Sequence, residues 1–180
     1  MPPYNKIPEG SFILNNNPMS ELDMTGIGKF KAFSGAHNAL NDPSKTDQEK
    51  IGPLPKGTYY IVDRPHGGFR QALHDLLDKY LMGSDPNMWF ALYRKDDKID
   101  DQTIINGQKR SSFRLHPQGH GILVTIDKLI HGFHDSSIGC LTLPNADDAY
   151  FLQKELLRHR DNRQIIPGTN IRYYGIIYVK

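Results

Sequence analysis

A chain of 180 residues is the size of one domain, long enough to bury roughly two thirds of its unfolded surface. With 38% hydrophobic and 23% charged residues, 16 Gly and 12 Pro, it reads as a soluble, turn-rich globular chain and not a disordered one. A net charge of +2 with dispersed Lys and Arg argues against nucleic acid, no apolar run approaches the roughly 18 to 20 residues of a membrane span, and one Cys excludes an internal disulfide.

The first residues, MPPYNKIPEGSFILNNN, carry neither the charged nor the apolar segment of a signal peptide. A chain made in the cytoplasm without one is expected, and action elsewhere requires another export route. Residues 11–35 break short apolar stretches with Asn15-Asn16-Asn17-Pro18, Gly26 and Gly28, the pattern of a β-meander. The polar stretch 36–50, with Asn41-Asp42-Pro43, reads as a surface loop, and Thr58 to Asp63 as a strand rich in β-formers. Phe69, Ala72, Leu73, Leu76, Leu77, Tyr80 and Leu81 recur at helical spacing, which predicts an amphipathic helix ending near Gly83.

MWFALYR (88–94) reads as a buried strand, and Asn106-Gly107 is the strongest hairpin signal in the chain. Further strands are expected at 111–116 and 121–126. Asn145 is placed to cap a helix with Asp147 and Asp148 in its first turn, and IRYYGIIYV forms a terminal strand. The sum is mainly β with a few helices (α+β), in a single domain 1–180 with N-terminal strands in 1–27 and the core in 28–180.

Chemistry concentrates in FRLHPQG, which holds His116, and SSIGCLTLP, which holds the lone Cys140; His120, His131 and His134 lie between them. Small Gly139 before the cysteine lets the backbone approach a substrate closely. A thiolate is the reactive form of Cys, and a neighbouring imidazole or cation populates it. Taken singly, a lone Cys is an ordinary small core residue and each His an ordinary solvated one. A zinc site from these histidines and Cys140 is open by donor type, but HExxH and paired Cys-x-x-Cys are missing, so no metal or other cofactor is expected.

GPLPKGTYYIVDRPHGG, WFALYRKDDKIDDQT, FRLHPQG and SIGCLTLP, in this order from about Gly28 to Leu157, together resemble the L,D-transpeptidase-like effector family delivered by type VI secretion systems against bacterial cell walls. The resemblance implies an L,D-transpeptidase-like β-sandwich and a Cys thiolate that attacks peptidoglycan stem peptides at meso-diaminopimelate. The terminal D-alanine would leave, and water or another D-amino acid would resolve the thioester. Cys140 then matches the nucleophile and His116 its base, Ser137 and Gly139 the frame of the oxyanion site, and Arg114 a clamp for a substrate carboxylate.

Housekeeping L,D-transpeptidases carry Ser/Thr-His-Gly-Cys, whereas Ile138 stands here at that His. The 24 residues from His116 to Cys140 exceed the spacing expected of the family, so HGILVTIDKLIHGFHD reads as an insertion and His131 or His134 are alternative bases. The resemblance further implies a monomer without membrane or nucleic-acid partners, exported by the type VI apparatus to the periplasm of target bacteria and neutralised by a cognate immunity protein. Two other classes stand beside it: a non-catalytic cell-wall or protein-binding module of the same fold, and a zinc-dependent hydrolase.

Overall fold

Eleven strands form among the residues that the computed structural model describes, 6–64, 89–119 and 136–180. They are β1 (Glu9–Phe12), β2 (Ser20–Met24), β3 (Gly28–Ala36), β4 (Gly57–Asp63), β5 (Phe90–Arg94), β6 (Gln102–Ile105), β7 (Gln108–Ser111), β8 (Arg114–Pro117), β9 (Ser136–Leu143), β10 (Gln164–Ile165) and β11 (Arg172–Val179). One α-helix, α1 (Ala146–Arg158), lies among them. The helix expected over 69–81 and the strand expected at 121–126 fall outside the described residues. Within them, no helix is long and apolar enough to cross a membrane.

The expected meander forms as β1, β2 and β3, each antiparallel to the next. The sheet continues in the order β3, β9, β8, β5, β4, β11, and β11 returns to pair in parallel with β1. Eight strands therefore close into a barrel, with β10 attached outside the ring on β11. The mainly β architecture agrees with the sequence expectation, whereas, in place of the sandwich expected there, the main sheet closes on itself and β6 and β7 pair in a separate two-stranded sheet. The difference arises at β1, whose two edges take β2 and β11 at once and leave the ring no free edge.

Side chains fill the interior, as an eight-stranded barrel requires. Phe12, Leu22, Met24, Ile61, Leu92, Leu141 and Tyr174 are all buried there, and α1 lays Ala149, Leu152 and Leu156 on the same cluster. β4 is covered on both faces: Tyr59 and Ile61 enter this core, while Tyr60 and Val62 join a second cluster with Ala91, Ile166 and Tyr173. Asn106 and Gly107 turn β6 into β7 with φ of 51° and 78°, the pair of positive values that a two-residue type I′ hairpin demands.

Candidate active site

β8 is four residues long, and its parallel register on β9 sets Leu115 against Leu141, His116 against Thr142 and Pro117 against Leu143. Leu115 and Leu141 are core residues, so pleating puts Arg114, His116 and Thr142 on the opposite face. The register starts at Leu115 and Leu141, and the residues before them, Arg114 and Cys140, interact electrostatically.

On its other side β9 departs from regular pairing just at the cysteine. Thr142 faces Phe33 and Leu141 faces Ser34, but the next match is Ser136 with Ala36, so Gly35 alone spans the interval filled by residues 137–140. Gly35 and Gly139 both take left-handed backbone, with φ of 89° and 74°. Bulges re-aim side chains, and the half-buried Cys140 emerges from this one. Glycine is needed at 139 for space as well, because an added Cβ would stand 2.5 Å from Nη2 of Arg110 and 2.8 Å from Cε1 of Phe113.

The Cys140 thiol donates to the carbonyl of Ser112 at 3.7 Å. Ser112 is a non-glycine residue at φ 62°, tied by its N–H to the carbonyl of Asp101 at 3.1 Å. Its strained backbone is thus fixed by a neighbour and aims its carbonyl at the sulfur.

Nδ1 of His116 lies 2.7 Å from the carbonyl of Pro117. A carbonyl can only accept, so Nδ1 carries the proton and Nε2 presents a lone pair, which the Thr142 hydroxyl meets at 3.4 Å. Burial pushes the His116 pKa down from 6.5 to about 4; the Pro117 carbonyl opposes the shift, and the charges of Arg114 and Arg64 assist it. The imidazole is therefore an uncharged base at neutral pH. Trp89 stacks on it with ring centroids 4.6 Å apart, and the Arg64 guanidinium lies 5.0 Å from the centre of the Trp89 ring. Behind the imidazole is a cavity of about 10 Å³ bordered by Leu143, Leu152 and Gln153, too small to admit a peptide.

Of the residues singled out in the sequence, Cys140, His116, Arg114 and Gly139 meet on β8 and β9, and Ser137 lies in the first half of β9. His120, His131 and His134 lie outside the described residues. Arg114 closes its fork on Asp101, with contacts of 2.5 and 2.7 Å. Arg110 on β7, Trp89 and Ser112 belong to the site but carry no sequence signal, since each acts through a contact with another segment. Among the described residues, no group of three or more His, Cys, Asp or Glu is placed to hold a metal ion.

The model of the Tlde1 domain family matches residues 28–169, from the start of β3 past β10. No curated protein matches the sequence.

Proposed function

The chain belongs to the Tlde1 domain family of type VI secretion effectors, antibacterial proteins, and from that membership we propose that it is a cysteine-dependent enzyme acting on peptidoglycan stem peptides. The observation that supports the reading is that the lone Cys140, at the β9 bulge, and His116, a neutral imidazole on the parallel neighbour β8, stand on adjoining strands.

The reaction proposed is L,D-carboxypeptidase or L,D-transpeptidase chemistry on meso-diaminopimelate tetrapeptides. The thiol turns from the Ser112 carbonyl toward Nε2 of His116 and gives it the proton as Sγ bonds to the substrate carbonyl. Backbone N–H groups around Gly139 and Cys140 receive the oxyanion. The C–N bond then breaks, the imidazolium returns its proton to the departing amine of D-alanine, and a thioester remains on Cys140. Water or the amine of another D-amino acid resolves it and restores the thiol. With a pKa of about 4, protonating His116 at pH 7 costs on the order of 4 kcal/mol, so the imidazolium is transient and a strong acid toward the leaving amine.

In this reading the substrate lies in the periplasm of a target cell, and a cognate immunity protein protects the producer by covering Cys140. The test is mass spectrometry of diaminopimelate-type tetrapeptide muropeptides incubated with wild type and with Cys140→Ala. Wild type alone is expected to remove the terminal D-alanine or to exchange it for an added D-amino acid. Unchanged muropeptides with both proteins would overturn the reading and favour a binding module.

A further inference from the structure

A neutral imidazole leaves open what stabilises negative charge on Cys140. Two guanidinium groups act electrostatically on that residue, Arg110 and Arg114, and their surroundings differ. Arg114 is paired through both Nη atoms with the carboxylate of Asp101, so the two together present little net charge to the sulfur. Arg110 is 1% exposed and donates to backbone carbonyls, those of Thr46, Gly52 and Pro53. Asp47 and Glu49 reach it only through space. A carbonyl satisfies an N–H without cancelling the charge, so Arg110, on β7 beside the ring, keeps its full positive charge.

Its position is fixed relative to the cysteine. The guanidinium lies 5.4 Å from the Phe113 ring centre on one side and occupies the space that a side chain at residue 139 would take on the other. The glycine preceding Cys140 thus admits a buried cation directly behind the bulge.

We propose that Arg110, and not the imidazole, supplies the positive charge against which the Cys140 thiolate forms as its proton passes to His116. Arg110 is a positioning residue: it faces the back of the bulge and touches no substrate. Gly139 serves this arrangement as much as it serves the turn. The inference rests on Cys140 as the nucleophile proposed above, but its test requires no peptidoglycan.

The test is the rate at which iodoacetamide alkylates the single cysteine, read by intact mass at pH 7 and expressed relative to the rate at pH 10, where the thiol is ionised in every variant. The wild-type ratio is expected to exceed that of free cysteine. Arg110→Met should lower it about tenfold, the equivalent of one pKa unit, Arg110→Lys should recover most of the loss, and His116→Gln should stay within about twofold of wild type. An unchanged ratio in Arg110→Met, or an equal loss in His116→Gln, would overturn the proposal. If circular dichroism shows Arg110→Met unfolded, the other proteins decide: a wild-type ratio no higher than that of free cysteine defeats the proposal by itself. An Arg110-dependent ratio without muropeptide turnover would defeat only the peptidoglycan reading.

Discussion

Burial decides the chemistry of His116 more than its neighbours do. Removal from water outweighs the hydrogen bond to the Pro117 carbonyl, and the charges of Arg114 and Arg64 act in the same direction as burial. Because the folded-state pKa of about 4 lies below the ordinary 6.5, the unfolded chain binds more protons between those values, and stability falls as pH drops through that window. The melting temperature of wild type should therefore fall between pH 7 and pH 5 by roughly 5 °C more than that of His116→Gln, which lacks the titrating group. For the same reason the acid limb of kcat/KM should bend near pH 4 and not near 6.5. Equal pH dependence of melting in both proteins would show that the imidazole is not held neutral by the fold. The identity of His116 as a candidate base was legible in FRLHP, but its neutrality was not. Neutrality depends on Trp89, Arg64 and the β8–β9 pairing, which come from distant parts of the chain.

Local rules governed the elements that the sequence described well. The β6–β7 hairpin follows from Asn106-Gly107, and the start of α1 follows from Asn145, whose side chain accepts from the N–H groups of Asp147 at 2.8 Å and Asp148 at 3.3 Å. Asn145→Ala should lower stability by about 1 kcal/mol, read as a fall of roughly 3 °C in melting temperature, with muropeptide turnover kept within about twofold. No change in melting would mean that the cap does not hold the first turn of α1. The cysteine-bearing strand was less legible. No strand was expected around Cys140, whereas β9 starts at Ser136 and bulges before the sulfur. That bulge involves Gly35 and Gly139, both with left-handed backbone, on two paired strands more than a hundred residues apart, a coincidence that no local pattern encodes. Arg110 escaped notice for a similar reason, because its role comes from packing against Gly52, Pro53 and Gly139.

At the scale of the molecule, the barrel depends on a strand that lies outside the matched family region. The match begins at Gly28, at the head of β3, yet the ring closes through β1, which is antiparallel to β2 on one edge and parallel to β11 on the other. Long-range parallel pairing of this kind leaves only short alternating stretches in the sequence, so the meander was legible and the closure was not. Gly10 is the tight point of the seam: it stands opposite Met24 and Ile177, and an added Cβ would lie 2.3 Å from Sδ of Met24 and 2.7 Å from the carbonyl oxygen of Asp23. A thioether can turn aside, but a backbone carbonyl in a paired strand cannot, so Gly10→Ala must push β1 off β2 and loosen the cover over Phe12, which is fully buried. A cost of about 2 kcal/mol is expected, with a fall of roughly 6 °C in melting temperature, whereas Ser11→Ala in the same strand should change it little. The Cys140 site lies in the opposite part of the ring, on β8 and β9, so alkylation of Cys140 below the melting transition should match wild type. A Gly10→Ala protein that melts within 1 °C of wild type would show that the barrel does not depend on this seam.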